Sequence, residues 1–308
     1  MKAILQSVSR SFYLTIKFLP RPLREPISLA YLLARATDTI ADTASIAVEI
    51  RLTNLLSLAR VIAGELDFAA IAEPLRTFAA QQSDPAERKL IENLPGCMAW
   101  LEKLDPADRT DIRAVLQTIV KGQELDLRRF GDPATAVRLR NTAELDEYTY
   151  LVAGCVGEFW TNLGFRRLPP FAQRSPDEMK ELGIDYGKGL QLINILRDRS
   201  ADEKNGRLYF PASDDINSWI DRAEKQTRAG IEYAAALTNW RTRFATSLPA
   251  LIGARTIALL RAAGREAEAR PIKVPRPQVR RILLTASLAT ASPSALHTQF
   301  EQLLKSTR

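Results

Sequence analysis

Residues 191–202 read Gln-Leu-Ile-Asn-Ile-Leu-Arg-Asp-Arg-Ser-Ala-Asp, and they combine the apolar pattern of a buried helix with a line of polar side chains. The polar positions recur at i, i+3, i+7 and i+11, so they share one helix face. They are Gln191, Asn194, Asp198 and Asp202. The positions between them are mostly Leu and Ile. The pattern predicts a long helix over 176–203 that carries ionisable groups on an otherwise apolar surface.

A second polar line of the same kind lies far away in the sequence, on a helix predicted over 27–43. Its members recur at i, i+4, i+7 and i+11: Tyr31, Arg35, Asp38 and Asp42. One such line could be a solvated outer face, because surface carboxylates are common. Two Asp-x-x-x-Asp pairs on helices that are apolar almost all round favour a functional site instead.

The rest of the chain reads as helices. It has 308 residues, of which 46% are hydrophobic and only 14 are glycine, and no alternating Val, Thr and Tyr pattern predicts a sheet. Further helices are predicted at 46–68, 74–82, 87–103, 107–130 and 142–163, with three or four more after Pro211. Neither a repeat nor a linker divides the chain. We therefore predict an all-α protein with a single domain over 1–308.

Several other chemistries are excluded by composition. The single histidine, His297, rules out His-based zinc sites and Ser-His triads, and no Gly-rich phosphate loop occurs. Two cysteines, Cys97 and Cys155, cannot form a disulfide framework, and Cys155 is expected to pack as a small hydrophobe. With no signal peptide and no apolar run of about 18 residues, the expected location is the cytoplasm.

The net charge of +7 allows three kinds of partner: nucleic acid, an anionic membrane surface or an anionic small substrate. Nucleic acid is disfavoured, because the basic residues are not interleaved with aromatic ones and no binding motif occurs. A basic face that only confers solubility is a further alternative.

The spacing of the Asp pairs suggests metal chemistry. Two carboxylates one helical turn apart repel each other, burial strengthens the repulsion, and a divalent cation removes it. Mg²⁺ prefers oxygen ligands and usually shares its shell with substrate phosphates. Two facing pairs could hold metals around one diphosphate and assist C–O ionisation. Arg35, Arg197 and Arg207 could add bidentate contacts to phosphate oxygens.

Four segments together resemble the squalene/phytoene synthase family, and the resemblance extends from Ser9 to about Leu284. The strongest segment is the stretch from Gln191 to Asp202, followed by Gly206-Arg-Leu-Tyr-Phe-Pro211. The others are Ser9-Arg-Ser-Phe12, Tyr31-Leu-Leu-Ala-Arg-Ala-Thr-Asp-Thr-Ile-Ala-Asp42 and Tyr148-Thr-Tyr-Leu-Val-Ala-Gly-Cys-Val-Gly157. Within the family, the chain looks most like a bacterial squalene synthase.

The resemblance implies an isoprenoid synthase fold, a helical bundle around a central cavity, and head-to-head condensation of two prenyl diphosphates. It assigns Tyr148 to the first half-reaction. It gives a Mg²⁺ and diphosphate role to Asp38, Asp42, Asn194, Asp198 and Asp202. It places the following residues near substrate: Ser9, Arg10, Ser11, Phe12, Tyr31, Arg35, Gln191, Asn194, Arg197, Arg207 and Tyr209.

Two features leave the resemblance open in detail. The family often has Glu before the last Asp of the second motif, whereas this chain has Ala201 there and Glu203 after it. The accessory acidic group of this motif is therefore expected at Glu203, with the two Asp pairs unchanged. Gly154 and Gly157 could let a substrate chain pass close to the helix backbone or could serve helix packing.

The reaction itself has alternatives. Asp38-Thr39, Asp146-Glu147 and the segment 247–276 resemble squalene-type sequences, which implies farnesyl diphosphate, a presqualene diphosphate intermediate and reduction by NADPH. Phe244 lies five residues before Pro249 instead of the expected four, so core packing is the favoured reading. The NADPH site and the general base are unknown. The alternatives are a phytoene or dehydrosqualene synthase without hydride transfer, a presqualene diphosphate synthase, and a helical assembly factor without catalysis.

The expected partners are prenyl diphosphates and no nucleic acid. The chain is expected to be a monomer or weak homo-oligomer in the cytoplasm, with peripheral contact at the inner face of the membrane.

Overall fold

The structure, a computed structural model, describes residues 2–9, 12–131, 135–212, 214–264, 267 and 269–305, without the side chains of residues 2, 9 and 12–14. The chain forms two compact units, residues 1–131 and 132–308. Helices make up nearly all of both, which confirms the all-α prediction. The prediction of one domain over 1–308 stays a prediction.

The first unit is built around helix α3. Its elements are α1 (Lys2–Ser9), α2 (Phe12–Phe18), α3 (Arg21–Asp42), α4 (Val48–Ala63), a 3-10 turn (Phe68–Ile71), α5 (Ala72–Ala80), α6 (Pro85–Glu92), α7 (Leu94–Lys103) and α8 (Pro106–Phe130). Helix α3 packs against α4, α6, α7 and α8. Its apolar side chains are buried, including Leu29, Leu32 and Ile40. The polar line of α3 is therefore the part of this helix that the core leaves accessible.

Prolines place two helix boundaries differently from the prediction. Helix α3 begins at Arg21 and contains Pro26, so the start predicted at residue 27 is wrong. Pro26 is the sixth residue of the helix, and its missing N–H removes the hydrogen bond to the carbonyl oxygen four residues earlier. The helix predicted over 87–103 is divided at Asn93 into α6 and α7, because Pro95 falls in the first turn of a new helix.

The second unit is built around helix α11. Its helices are α9 (Thr142–Thr149), a π turn (Tyr150–Gly154), α10 (Cys155–Arg167), α11 (Pro176–Lys204), α12 (Ile216–Ala236), α13 (Trp240–Ala263), α14 (Arg276–Ala289) and α15 (Pro293–Lys305). Helix α11 packs against α10, α12 and α13. A capping box between Ser175 and Glu178 fixes its start, and its bounds match the prediction of 176–203 to within one residue.

Two features of this unit were not predicted. Strand β1 (Val137–Arg138) pairs in parallel with β2 (Arg207–Leu208), and strands this short leave no alternating pattern in the sequence. The π turn interrupts the helix predicted over 142–163. Such turns insert one residue into a helix and are frequent near functional sites.

Glycines allow α10 and the π turn to approach α11 very closely. A Cβ atom added at Gly157 would lie 1.9 Å from the carbonyl oxygen of Gly183, and one added at Gly187 would lie 2.2 Å from that of Ala153. These distances are incompatible with any side chain unless the backbone moves. Of the two readings of Gly157, the structure supports helix packing.

Other sequence expectations about the core are confirmed. Cys97 and Cys155 are buried, and burial raises the pKa of each thiol to about 12, so both are neutral and packed as hydrophobes. Phe244 is 5% exposed and belongs to the core of the second unit with Leu248 and Leu251.

Among the helices described, none is long and apolar enough to cross a membrane.

Gly157→Ala should destabilise the protein by about 1–3 kcal/mol, because the added methyl group forces α10 away from α11. The intrinsic gain in helix propensity, about 1 kcal/mol, offsets part of this cost. The measurement is chemical denaturation followed by circular dichroism.

Gly154→Ala is the matched control, since there one of the two nearest atoms is the flexible Lys188 side chain at 3.0 Å. Its loss of stability should be clearly smaller. Equal losses for the two variants would contradict a packing role specific to Gly157.

Candidate functional site

The polar line of α3 borders a cleft in the first unit. Tyr31, Arg35 and Asp38 are half-buried, and Asp42 is exposed at the end of the helix. The cleft has a volume of ≈ 300 Å³. Its polar lining includes Arg35, Asp38, Thr39, Asp42, Gln82, Ser83 and Glu87. Tyr31 does not line this cleft, and its hydroxyl donates to the carbonyl oxygen of Val8 at 3.4 Å.

Asp38 is the most strongly perturbed carboxyl of this cleft. Burial, followed by the negative charge of Asp42, raises its pKa from 3.8 to about 6, while the Arg35 guanidinium opposes the rise. The fold thus holds two carboxyls one turn apart at an electrostatic cost. A bound cation would reverse that cost, because its charge favours both carboxylates.

Gln123 on α8 is a functional candidate that sequence reasoning missed. It is buried, and its Nε2 donates a hydrogen bond to Oδ1 of Asp38. Its Oε1 has no hydrogen-bond partner in the described part of the chain. Such a bond stabilises the ionised carboxylate and fixes its orientation. The sequence carries no distinguishing signal for Gln123, because α8 has polar and charged side chains along its length and the burial of Gln123 is known only from the structure.

Arg35 already has a carboxylate partner. Its guanidinium forms a salt bridge with Glu87 on α6, and both residues line the cleft. Glu87 was not singled out from the sequence, because a surface glutamate in a helix carries no distinguishing pattern. The phosphate contact predicted for Arg35 stays a prediction, and it requires exchange of this partner.

The second polar line lies on α11 in the other unit. Gln191, Asp198 and Asp202 are half-buried and Asn194 is exposed, so the line is accessible while the Leu and Ile residues beside it are buried. Nδ2 of Asn194 lies 3.5 Å from Oε1 of Gln191. The shared helix face of these residues agrees with the sequence prediction, and their role as ligands stays a prediction.

Basic residues accompany the acidic ones on α11. Arg197 forms a salt bridge with its neighbour Asp198, with Nε 3.1 Å from Oδ1. Arg199 pairs with Glu203 at 2.7 Å. Glu203, the acidic residue that follows the family position occupied here by Ala201, is therefore engaged by Arg199.

The short β ladder fixes the segment that follows α11. Gly206 adopts a φ of 76°, which allows the chain to turn out of the helix and into β2. The amide of Val137 donates to the carbonyl oxygen of Gly206 at 2.9 Å. The pairing fixes the backbone of Arg207 and Leu208 just after the end of α11, and Tyr209 follows directly.

Tyr148 and Tyr209 come from different segments and stack on each other. Their ring centroids are 5.3 Å apart with an interplanar angle of 23°. Tyr209 is 6% exposed, so its ring forms a wall for the half-buried Tyr148. Two residues that the sequence singled out separately are thus parts of one arrangement.

Asp146 holds together the helices that carry these groups. Its carboxylate lies 2.6 Å from Nζ of Lys188 on α11 and forms a second salt bridge with Arg222 on α12. Asp146 belongs to α9, as does Tyr148. Sequence reasoning noted Asp146 only for its resemblance and did not anticipate either basic partner.

Part of the predicted site lies outside the described residues: Arg10 and Ser11, and the side chains of Ser9 and Phe12. In the part of the chain that is described, no group of three or more His, Cys, Asp or Glu residues is arranged to hold a metal. Each candidate metal position is an Asp pair. That oxygen donor set fits Mg²⁺, which keeps waters and accepts phosphate oxygens as further ligands. The prediction that the pairs face one cavity stays a prediction.

Comparisons with known proteins identify the family of this chain. The family model described as "Squalene/phytoene synthase" matches residues 5–215. A bifunctional lycopene cyclase/phytoene synthase of Phaeosphaeria nodorum is 31% identical over 67% of this chain and 33% of its own length. A squalene synthase of Bos taurus is 28% identical over 67% of this chain and 45% of its own. The chain thus spans less than half the length of these curated relatives.

A solved structure of TcSQS with a ligand has a TM-score of 0.78, with 22% identity over 98% of this chain and 88% of that one. This likeness concerns the fold, and it confirms the all-α isoprenoid synthase fold. The match over residues 5–215 includes both Asp pairs, Tyr148 and the β2 segment. The chain therefore belongs to the squalene/phytoene synthase family.

Proposed function

We propose that this protein is a squalene synthase, which condenses two farnesyl diphosphates head to head through presqualene diphosphate and reduces the product with NADPH. Members of its family are prenyltransferases of this head-to-head type. The observation that carries the proposal is the pair of Asp-x-x-x-Asp lines on apolar helices, with Asp38 held at a raised pKa of about 6. A helix that serves only as a solvated surface gains nothing from a buried carboxyl with a raised pKa.

The Asp pairs would hold Mg²⁺, through Asp38 and Asp42 in one unit and through Asp198 and Asp202, with Asn194, in the other. When bound, Mg²⁺ supplies positive charge that favours departure of pyrophosphate. Gln123 keeps the Asp38 carboxylate oriented and partly offsets its raised pKa. Arg35 and Arg197 would exchange Glu87 and Asp198 for phosphate oxygens, and Arg207 would add a third guanidinium.

Tyr148 would act on the prenyl chains after ionisation. Its ring is fixed against Tyr209, and its helix is tied to α11 through Asp146 and Lys188. A rigid support of this kind keeps a reacting group within the narrow geometry that catalysis requires. The remaining substrate residues proposed are Ser9, Arg10, Ser11, Phe12, Tyr31 and Gln191.

The squalene outcome rests on finer features than the condensation. Thr39, which follows the first Asp, is buried on the cleft, and its hydroxyl has no hydrogen-bond partner within the described residues. The curated relatives include both a squalene synthase and a phytoene synthase. The second candidate is therefore a phytoene or dehydrosqualene synthase that loses a proton instead of accepting hydride. A presqualene diphosphate synthase and an assembly factor without catalysis remain alternatives.

The proposed setting is the cytoplasm, with peripheral contact at the inner face of the membrane. The proposed partners are prenyl diphosphates, Mg²⁺ and NADPH, with no nucleic acid. We propose a monomer or weak homo-oligomer.

Purified protein with farnesyl diphosphate, Mg²⁺ and NADPH should yield squalene, identified by mass spectrometry. Omitting NADPH should leave presqualene diphosphate or a dehydrogenated hydrocarbon. Phytoene from geranylgeranyl diphosphate, with no squalene, would favour the second candidate. Presqualene diphosphate as the end product even with NADPH would favour the third.

Asp38→Asn should lower turnover by about 10²–10³-fold or more, because a Mg²⁺ ligand is lost. The same change should stabilise the metal-free protein. Because folding raises the pKa of Asp38 from 3.8 to about 6, the wild-type protein loses stability as the pH rises between these two values. At pH 7.5 we expect a gain of about 1–2 kcal/mol in the free energy of unfolding, less than the ~3 kcal/mol of the full pKa change, because water reaches the half-buried group.

Asp198→Asn and Asp42→Ala should likewise abolish turnover in folded protein. Asp185→Asn is the matched control, since Asp185 is an exposed residue of the same helix α11. It should retain activity within about two-fold of wild type. Full turnover of Asp38→Asn or Asp198→Asn would contradict the proposed role of the Asp pairs. Wild-type performance of these variants in cells, with no turnover by the purified protein, would favour the assembly factor.

Gln123→Leu should raise the pKa of Asp38 above about 6, because the amide hydrogen bond lowers it. The acid limb of the Mg²⁺-dependent pH profile should therefore move to higher pH. NMR titration of carboxyl carbons in metal-free protein checks the pKa directly. Gln117→Leu, an exposed change on the same helix α8, serves as the control and should leave both curves in place.

A further inference from the structure

Helix α14 presents leucines to solvent. Leu284 is 72% exposed and Leu288 is 77% exposed, the highest values among the exposed large hydrophobic residues of the described chain. They lie one turn apart on the same face. The opposite face is buried, with Ile282, Ala286 and Ala289 in the core of the second unit. The helix is thus anchored by one side and offers an apolar ridge on the other.

Positive charge surrounds this ridge. Residues 270–300 contain five Lys and Arg residues and no Asp or Glu, so this segment accounts for five of the net +7 charges of the chain. All five are exposed: Arg270, Lys273, Arg276, Arg280 and Arg281. Helix α14 packs on α13 and α15. Helix α13 has no acidic residue, and Glu301 of α15 is paired with Arg228.

A polar pocket of ≈ 250 Å³ adjoins the same helix. Its polar lining is Arg255, Gln278, Arg281, Thr285, Gln299 and Gln302. Arg255 is only 3% exposed, and Gln278, Gln299 and Gln302 supply side-chain amides. Arg281 and Thr285 are exposed at its rim. Guanidinium and amide donors of this kind suit a phosphate group.

We propose that the α14 basic face, formed by Arg276, Arg280, Arg281, Leu284 and Leu288, docks on an anionic phospholipid membrane. The helix lies parallel to the surface, the leucines enter the headgroup region and the arginines contact lipid phosphates. A helix with an apolar ridge between basic residues is typical of interfacial binding. The inference rests on the membrane contact proposed above and names its surface.

Two other occupants fit the observations less well. A second copy meeting this face symmetrically would bring both sets of basic residues together, and like charges in one contact disfavour it. Nucleic acid would use the arginines but would leave the two leucines exposed. An anionic bilayer satisfies both the charge and the apolar ridge.

Sedimentation of the full chain with vesicles tests this surface. The protein should bind phosphatidylcholine vesicles that contain phosphatidylglycerol about 10-fold or more tightly than pure phosphatidylcholine vesicles, and high salt should weaken the binding. Leu284→Ser with Leu288→Ser, and separately Arg280→Glu with Arg281→Glu, should each weaken it at least about 10-fold. Ile50→Ser, which changes a 51% exposed hydrophobic residue elsewhere, should bind like wild type.

Binding as tight as wild type by either double variant, or equal binding of the wild-type protein to both kinds of vesicle, would overturn the proposal. So would a dimer, detected by light scattering, that the leucine changes dissociate. Saturable binding of inorganic phosphate without vesicle binding would assign the pocket to a soluble ligand and also overturn it. Circular dichroism verifies folding. No substrate is present, so failure here leaves the proposed condensation untouched, and failure of the product assay leaves this result untouched.

Discussion

Burial of the Asp38 carboxyl, one turn away from the negative charge of Asp42, is the physical constraint that defines the candidate site of the first unit. Helix α3 buries its apolar side chains in the core, and Asp38 and Asp42 lie on its accessible face. Burial and Asp42 together raise the pKa of Asp38, and Arg35 and Gln123 restrain the rise. Ionised Asp38 therefore carries an electrostatic cost, which protonation removes below about pH 6 and which a bound cation would remove at neutral pH.

The polar line of helix α11 is held in place by close packing against the neighbouring elements. Its polar line needs a rigid backbone, and close contacts through Gly157, Gly183 and Gly187 bring α10 and the π turn against it. The β ladder then fixes Arg207 and Tyr209 after its end. Asp146 connects α9 to α11 and α12 through two basic residues. Noncovalent contacts thus hold together residues of α9, α10, α11, α12 and the β ladder.

The acidic pairs and the main cluster of basic residues lie in different parts of the chain and suit different ligands. The acidic pairs lie on helices with buried surroundings, whereas most of the net positive charge lies at 270–300 around the exposed ridge of α14. Acidic metal sites suit a highly charged small substrate, and a basic amphipathic face suits an extended anionic surface. The overall charge of +7 alone cannot separate these roles, because it sums over both.

The sequence by itself determined the fold class, the bounds of α11 and both polar lines, since helical periodicity and the Asp spacing are local properties of consecutive residues. It placed the start of α3 at residue 27 instead of Arg21, and it missed the π turn and β ladder, whose signals are one residue or two residues long. Only the tertiary structure decided that Gln123 bonds Asp38, that Glu87 engages Arg35 and that Tyr148 stacks on Tyr209. These contacts join residues 52 to 85 positions apart in the first two cases, and such pairings depend on how helices pack, which no local pattern encodes.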